Sequence, residues 1–158
     1  MAAAARRTEK TGRPVITRCA ANANTSPSTI HITSCTPTEA SRKRHSVVAG
    51  NFFESVPDGG DAYLLKWIIH DWEDEESITI LRNVRSRGGT LLLIERILGP
   101  PNETPEAKLS DLNMLVGPGG QERTIEEFES LLEAVGYELV GTTPTDSGMF
   151  VIEGAPTR

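Results

Sequence analysis

Two short apolar runs, Asp61-Ala-Tyr-Leu-Leu-Lys-Trp-Ile-Ile69 and Thr90-Leu-Leu-Leu-Ile94, decide the fold of this chain. Short apolar runs of this kind are typical of parallel strands that are buried on both faces. An acidic turn at residues 73–76 lies between them, and acidic side chains stabilise the N-terminus of a helix. It is followed at helical spacing by three apolar residues, Ile78, Leu81 and Val84. The order strand, helix, strand predicts a βαβ unit with a right-handed crossover.

The C-terminal part of the chain carries the best-signalled helix. Thr124 is a predicted N-cap with Glu127 three residues on, which is the pattern of a capping box. The helix then shows one apolar stripe and ends at Gly136; the stripe consists of Phe128, Leu131, Leu132 and Val135. Residues 137–143 and 149–152 predict two strands that form a hairpin. The body therefore has an α/β pattern, typical of half of a doubly wound sheet.

Charge divides the 158 residues into two segments. Residues 1–46 carry 8 basic and 2 acidic side chains, a net charge of +6, and their apolar residues are mostly isolated, which predicts an irregular or disordered segment. Residues 47–158 carry 8 basic and 20 acidic side chains, a net charge of −12, and form one predicted domain. The Arg- and Ser/Thr-containing N-terminus also fits an organellar transit peptide, although it lacks a clear amphipathic helix.

Composition disfavours several classes of partner and location. The acidic body has no basic stripe that would bind a phosphate backbone, and no apolar run approaches the roughly 20 residues that cross a bilayer. Cys19 and Cys35 are the only cysteines, and their spacing matches no zinc motif or disulfide framework. We therefore expect a cytoplasmic, reduced protein that binds neither nucleic acid nor membrane.

Five motifs in the body carry a family resemblance. They are Gly50-Asn-Phe-Phe53, Leu65-Lys-Trp-Ile-Ile-His-Asp-Trp72, Ile94-Glu-Arg-Ile-Leu98, Asp111-Leu-Asn-Met114 and Gly119-Gly-Gln-Glu-Arg-Thr124. In this order they resemble the plant caffeate-type and bacterial antibiotic-pathway O-methyltransferases, from about residue 47 to residue 153. The resemblance implies a partial catalytic domain at residues 47–158, with the α/β fold of the C-terminal half of a Rossmann-like class I methyltransferase. It also implies S-adenosylmethionine as cofactor and a small acceptor with a phenolic or similar hydroxyl.

The same resemblance assigns roles near the reacting hydroxyl. His70 takes the place of the general base, and Glu95 and Glu122 match the two carboxylates that flank and orient it. A phenol ionises near about pH 10 and an imidazole near about 6.5, so the base must be strengthened or must act as the methyl transfer develops charge. Neighbouring carboxylates stabilise the imidazolium and so raise its pKa. Asp71 and Met114 match positions that line the acceptor pocket.

Three further residues match the cofactor side of the family's site. Lys66 matches a residue near the cofactor's polar end, Phe52 matches the apolar residue that packs on adenine, and Asn51 replaces the usual aspartate beside the adenine amine. An amide oxygen accepts the same hydrogen bond without the charge. The scheme requires no metal, because the sulfonium is already an activated methyl donor.

The other half of the family's cofactor site has no counterpart in residues 1–46. The family normally supplies an N-terminal helical dimerisation domain, a first strand and a Gly-rich turn, but this segment has no G-x-G-x-G pattern and no candidate for the acidic ribose-binding residue. We therefore expect a half-built cofactor site and an unpaired edge on the strand at residues 61–69, through which the chain would associate or form a homodimer. The alternative to an enzyme is a truncated, inactive remnant or an interaction module.

His70 also has two plainer interpretations. A histidine at the end of an apolar strand is often a hydrogen-bonded structural residue. The pair His70-Asp71 is also found among the ligands of metal-dependent phosphohydrolases. Such a site needs further histidines, and only His31 and His45 remain, both in the segment predicted to be irregular.

The other motif residues have alternatives of the same kind. Glu95 and Glu122 could be a solvated strand-end residue and an acid at a helix start. Lys66 could extend its ammonium outwards at an unpaired strand edge. Residues 117–120 are glycine-rich, but they lack the lysine and the preceding strand of a phosphate loop, which favours a plain loop.

Overall fold

The computed structural model describes residues 15–16 and 50–158. Apart from a two-residue strand, the irregular segment expected at residues 1–46 therefore lies outside the described residues. The described strands and helices follow in the order β1 (Val15–Ile16), β2 (Ala62–Lys66), α1 (Asp74–Arg85), β3 (Thr90–Glu95), α2 (Pro105–Val116), α3 (Ile125–Glu133), β4 (Tyr137–Pro144) and β5 (Phe150–Pro156). A short 3₁₀ turn, Ile69–Asp71, lies between β2 and α1.

The strands form one five-stranded sheet in the order β1-β2-β3-β5-β4. β1, β2 and β3 are parallel, and the pairing of β2 with β3 runs from Ala62 opposite Thr90 to Lys66 opposite Ile94. β5 is antiparallel to both β3 and β4. The predicted α/β class, the parallel strands on either side of α1 and the C-terminal hairpin are thereby confirmed.

The hydrophobic core lies on one face of the sheet. Alternate residues of β2 and β3 are buried there, and the buried set consists of Tyr63, Leu65, Leu91 and Leu93. Helices α1 and α3 add a second buried set to the same cluster, which consists of Ile80, Leu81, Val84, Phe128, Leu131 and Leu132. The residues on the opposite face of β2 and β3 are mostly half-buried, so the expectation of strands equally buried on both faces is wrong. The cause is that α1 and α3 pack together over the one face.

Helix α3 starts as its sequence predicted. The Glu127 N–H donates to the Thr124 hydroxyl at 3.3 Å, and the Thr124 N–H donates to the Glu127 carboxylate at 2.7 Å. These reciprocal bonds form the capping box. After the helix, Gly136 has a φ of 79°, a left-handed conformation that glycine adopts without steric cost.

Strand β2 ends at Lys66, before the end of the strand predicted at residues 61–69. The backbone turns at Trp67, whose φ of 54° lies in the left-handed region. The next two backbone N–H groups then bond to the Glu95 carboxylate instead of to a neighbouring strand. The apolar pattern cannot reveal this turn, because the two isoleucines that follow Trp67 are as buried in the turn as they would be in a strand.

The edge of β2 is not left unpaired, contrary to the expectation from the sequence. β1 pairs with it in parallel, with Val15 opposite Tyr63 and Ile16 opposite Leu64. Valine and isoleucine favour strands, and the pairing supplies partners for backbone groups that would otherwise be open at the edge. Association through this part of the edge would therefore require β1 to be displaced.

Helix α2 was not expected from the sequence. Ala107 is the one residue of α2 that is fully buried, so the helix lacks the buried stripe that usually reveals a helix. Four of its apolar residues are instead between 60% and 86% exposed, namely Leu109, Leu112, Leu115 and Val116. Within the described part of the chain, no helix combines the length and apolar character needed to cross a membrane.

Candidate active site

The candidate site lies at the carboxyl ends of the parallel strands β2 and β3. The turn Ile69–Asp71 follows β2, and Glu95 is the last residue of β3. In open α/β sheets, this edge is where ligands bind. Glu122, from the segment before α3, reaches the same place and contacts His70. The structure therefore brings together four of the residues selected from the sequence.

His70 is held between two carboxylates. Its Nδ1 lies 3.1 Å from Oε1 of Glu122, and its Nε2 lies 3.5 Å from Oδ1 of Asp71. The residue is only 9% exposed. A carboxylate can only accept, so Nδ1 carries the hydrogen in the contact with Glu122, which leaves the lone pair of a neutral imidazole on Nε2.

Glu95 orients the histidine through the backbone. Its Oε1 accepts hydrogen bonds from the N–H groups of Ile68 and Ile69, both at 3.0 Å. Its other oxygen is buried and has no hydrogen-bond partner among the described residues. Glu95 therefore fixes the turn that carries His70, and its charge favours the protonated imidazole.

Glu122 is held by α2 as well as by His70. The Ser110 hydroxyl donates to Oε1 of Glu122 at 2.6 Å, and the Glu122 N–H donates to Oδ1 of Asp111 at 2.8 Å. Oε2 of Glu122 is buried without a hydrogen-bond partner among the described residues. The carboxylate thus has two donors on one oxygen and none on the other.

Arg123 supports the His70 turn, although the sequence did not single it out for a role. It is 1% exposed and donates to the carbonyl oxygens of Ile69 at 3.0 Å and Trp72 at 2.9 Å. Its guanidinium also bonds Oδ1 of Asp74 at 2.8 Å. Arg123 belongs to the motif at residues 119–124, but a charged residue next to a helix start gives no sign of burial. These contacts hold the His70 turn through its backbone carbonyl groups.

Gly120 brings the segment of Glu122 against the His70 turn. A Cβ atom at this position would lie 2.1 Å from the carbonyl oxygen of His70. This distance is too short for any side chain, so the position accepts only glycine without a shift of the backbone. The next residue, Gln121, donates its N–H to the same carbonyl oxygen at 2.9 Å. Gly120 therefore allows the segment of Glu122 to pack closely against the His70 turn.

The carboxylates change the protonation of the site. Burial alone would lower the pKa of His70, but the hydrogen bond with Glu122 and the charges of Glu95, Glu122 and Asp71 outweigh it, and the pKa lies above its usual 6.5. Burial raises the pKa of Glu95 to about 7, against the opposing effects of His70 and of the two backbone N–H groups. Burial also raises the pKa of Asp71, and the charge of His70 opposes this shift. The site therefore gains a stronger base.

The residues predicted to contact adenine lie together beside the turn. The Asn51 amide oxygen accepts the N–H of Phe53 at 3.0 Å and so is partly used within its own turn. Phe52 is 5% exposed, because Phe53 and Trp72 pack against it with ring centres 4.9 and 6.1 Å away. The contact of Asn51 and Phe52 with adenine stays a prediction.

Lys66 is the last residue of β2 rather than an interruption within it. Its ammonium lies 5.1 Å from the centre of the Trp67 ring, which is 48% exposed. This geometry agrees with a side chain that extends outwards, and it also leaves the ammonium at the ligand-binding edge of the sheet. The contact of Lys66 with the cofactor stays a prediction.

Met114 and a neighbouring cavity complete the surroundings. Met114 is half-buried on α2, and its predicted contact with the acceptor stays a prediction. A cavity of about 400 Å³ is lined by Asp74, Asp111, Gly120 and other residues, but not by His70, so it lies beside the site. Within residues 15–16 and 50–158, no group of three or more His, Cys, Asp and Glu could hold a metal ion.

Comparison with known proteins identifies the family. The sequence profile of the O-methyltransferase domain matches residues 28–138, which is more than half of the chain. The chain belongs to this O-methyltransferase family. The match begins before residue 47, the boundary expected from the sequence.

Three relatives illustrate the O-methyltransferase assignment. The phenazine O-methyltransferase of Lysobacter antibioticus is 44% identical over 116 residues, which cover 72% of this chain and 34% of that protein. CalO1, a methyltransferase in calicheamicin biosynthesis solved in its S-adenosylhomocysteine-bound form, has a TM-score of 0.72 at 35% identity, covering 77% of this chain and 37% of that chain. NcsB1 of neocarzinostatin biosynthesis, solved with S-adenosylmethionine and 2-hydroxy-5-methyl naphthoic acid, has a TM-score of 0.66 at 29% identity, covering 73% and 34%. The chain thus spans about a third of the length of these relatives.

Proposed function

We propose that this chain serves S-adenosylmethionine-dependent methyl transfer to a hydroxyl, phenolic or similar, of a small molecule, with His70 as general base. The observation that carries the proposal is the contact of Nδ1 of His70 with the buried carboxylate of Glu122 at 3.1 Å. With Nδ1 in contact with Glu122, Nε2 is the nitrogen that would accept the proton, and Oδ1 of Asp71 lies 3.5 Å from it, where it would stabilise the imidazolium.

The chemistry follows from this arrangement. Nε2 of His70 would accept the proton of the acceptor hydroxyl as methyl transfer develops positive charge on that oxygen, and His70 would be left protonated. Glu95, Glu122 and Asp71 stabilise the imidazolium, which is why their charges raise the pKa of His70.

The described residues fit one side of the cofactor. When bound, S-adenosylmethionine supplies the methyl group as an activated sulfonium. The Nε1 of Trp72 is a buried donor that has no hydrogen-bond partner in the described part of the chain, so a ligand acceptor beside the aromatic cluster would satisfy it. Lys66 stands at the end of β2, where it would reach a carboxylate. These residues would bind the cofactor and orient it toward Nε2 of His70.

The acceptor class is inferred from relatives. NcsB1 holds 2-hydroxy-5-methyl naphthoic acid in one structure, and another relative is named for phenazine methylation. A flat aromatic hydroxyl compound would fit a site bordered by Asp71 and Met114. We propose these two residues as contacts to the acceptor, because both lie next to residues that position His70.

The test uses all 158 residues of the chain. Calorimetric titration with S-adenosylhomocysteine should give a micromolar Kd, and a labelled methyl group should pass from S-adenosylmethionine to 1,4-dihydroxy-2-naphthoic acid or a related phenol. His70→Gln should lower the rate about 10²-fold or more while leaving cofactor binding intact. Glu138→Gln, which changes an exposed carboxylate on β4, should leave the rate unchanged and serves as the control.

Two outcomes would count against the proposal. A folded chain that binds no S-adenosylhomocysteine would favour a non-catalytic protein of this family. Methyl transfer that survives His70→Gln would show that another group removes the proton. Circular dichroism of each variant establishes that it is folded before the rates are compared.

A further inference from the structure

The Ser110 hydroxyl shares an acceptor atom with His70. It donates to Oε1 of Glu122 at 2.6 Å, and the same oxygen lies 3.1 Å from Nδ1 of His70. A serine within a helix often bonds a carbonyl of its own helix, as Ser130 of α3 does with the carbonyl of Glu126 at 2.8 Å. The Ser110 hydroxyl instead bonds outside α2, to the carboxylate of Glu122 in the candidate site.

Glu122 depends on this bond for its orientation. Its Oε2 is buried with no hydrogen-bond partner among residues 50–158, so its carboxyl group is restrained only at Oε1. The Glu122 backbone is held separately, through its N–H and Asp111. A carboxylate that contacts a single donor can rotate about its terminal torsion, which is broad. Two donors that meet one oxygen from different elements remove that freedom.

We propose that Ser110 is a positioning residue, which holds Oε1 of Glu122 against Nδ1 of His70 and thereby keeps Nε2 as the basic nitrogen. Its catalytic meaning rests on the proposed function of His70. The hydrogen bond is short because the acceptor is charged, and a charged acceptor strengthens the contact. Ser110 therefore acts on the reaction through Glu122 without touching the acceptor molecule.

Several charged groups face His70, and only one of them depends on Ser110. Glu95 approaches from β3, Asp71 belongs to the same turn, and Glu122 arrives from the segment before α3. Arg123 bonds the carbonyl of Ile69, and Asp111 acts through the backbone of Glu122. Loss of the Ser110 hydroxyl should therefore weaken the effect of Glu122 on the pKa of His70. The effects of Glu95 and Asp71 should stay in place, so we expect the pKa of His70 to fall only part of the way.

The experiment is a nitrogen-15 NMR titration of the imidazole in the 158-residue chain. The His70 signals are assigned by their absence from His70→Gln. Ser110→Ala should lower the titration midpoint of His70 by about one pH unit and reduce the share of the tautomer with hydrogen on Nδ1. Ser110→Thr, which keeps the hydroxyl, should stay near wild type. Ser130→Ala is the matched control and should leave both values unchanged.

The proposal is overturned if Ser110→Ala gives the same His70 midpoint and tautomer share as Ser130→Ala. If Ser110→Ala does not fold, Ser110→Cys replaces it, because a thiol has similar size and is a weak donor. A wild-type midpoint in Ser110→Cys would equally overturn it. The titration needs no cofactor or acceptor, so a chain that fails to transfer methyl groups would count against the proposed function and not against the role of Ser110.

Discussion

At the scale of single residues, His70 is placed by two charged side chains that bond the backbone on either side of it. Glu95 accepts the N–H groups that lead into the turn, and Arg123 donates to the carbonyl groups of Ile69 and Trp72. Neither side chain makes a hydrogen bond with the imidazole. The short 3₁₀ turn is therefore held from both ends by side chains of other elements.

The buried charge of Glu95 predicts a dependence of stability on pH. Its pKa rises from 4.5 to about 7 on folding, so the folded state binds the proton more tightly. The stabilisation is fully present below pH 4.5 and is lost as the pH rises through about 7, which amounts to roughly 3 kcal/mol. Glu95→Gln can accept the same N–H groups without a charge, so its stability should not fall in this way.

Urea denaturation at about pH 5 and about pH 8 would measure this difference. Relative to Glu95→Gln, the wild type should lose stability between the two pH values. Glu138→Gln, at an exposed position on β4, should behave like the wild type. Parallel pH dependence in the wild type and Glu95→Gln would contradict the prediction.

Arg123→Ala should be among the most destabilising single changes. It removes a charged donor from the carbonyl groups of Ile69 and Trp72, which keep only longer hydrogen bonds from the Trp72 N–H and the Ser77 hydroxyl. A hydrogen bond to a charged group contributes about 1.5 to 3 kcal/mol. We expect a loss of about 3 kcal/mol or more in the free energy of unfolding, measured by urea denaturation. Arg82→Ala removes an exposed arginine of α1 and should change stability by less than about 0.5 kcal/mol. Equal effects of the two changes would refute the role given to Arg123.

At the scale of elements, prediction from the sequence succeeded where a local pattern and the tertiary environment agree. α3 has its own cap and an apolar stripe that packs into the core, so both signals identify the same residues. α2 has neither a side-chain cap nor a buried stripe, and it escaped prediction. The end of β2 is set by the carboxylate of Glu95, which lies 26 and 27 residues away from the N–H groups that it bonds. Hydrogen bonds between residues so far apart in the chain produce no periodic pattern in the sequence, so the sequence does not reveal where β2 ends.

The candidate site shows the same division. His70, Glu95 and Glu122 were selected through a family resemblance, and the structure brings them together. Ser110 and Arg123 escaped selection because their importance depends on which distant atoms they reach. A serine and an arginine have many ordinary places on a protein surface, and only the fold distinguishes these two.

The close approach of Gly120 to the His70 turn predicts the effect of one methyl group. Gly120→Ala places a Cβ atom 2.1 Å from the His70 carbonyl oxygen, so the two segments must move apart. We expect a loss of about 2 kcal/mol or more in stability, measured by thermal or urea unfolding, together with impaired contact between His70 and Glu122. Gly141→Ala is the matched control, since no atom lies within 4 Å of its added Cβ. A fully stable Gly120→Ala protein would show that the segments are not in contact.

At the scale of the whole molecule, the sheet combines a partial family domain with a short added strand. The match to relatives covers about a third of their length, and β1 lies beside β2, where the resemblance places the family's first strand. Only two residue pairs join β1 to the sheet, compared with five between β2 and β3. The β1 edge is therefore the weakest part of the described sheet.

Removal of β1 should expose this edge. A chain of residues 50–158 should self-associate or lose stability, because the backbone groups of Tyr63 and Leu64 lose their partners. A chain of residues 15–158 keeps β1 and should resemble the full chain, which makes it the matched control. Sedimentation velocity and thermal unfolding would compare the three chains. Identical behaviour of all three would show that β1 contributes nothing to the sheet.

The two tryptophans on either side of His70 have an optical consequence. Trp67 is 48% exposed beneath the Lys66 ammonium, whereas Trp72 is partly buried in edge contact with Phe53 at 4.8 Å. They are the only tryptophans in the chain. Their fluorescence should therefore separate into a red-shifted component that a soluble quencher reaches and a blue-shifted component that it does not. Trp67→Phe would isolate the second component and turn the chain's own emission into a label-free monitor of events beside His70.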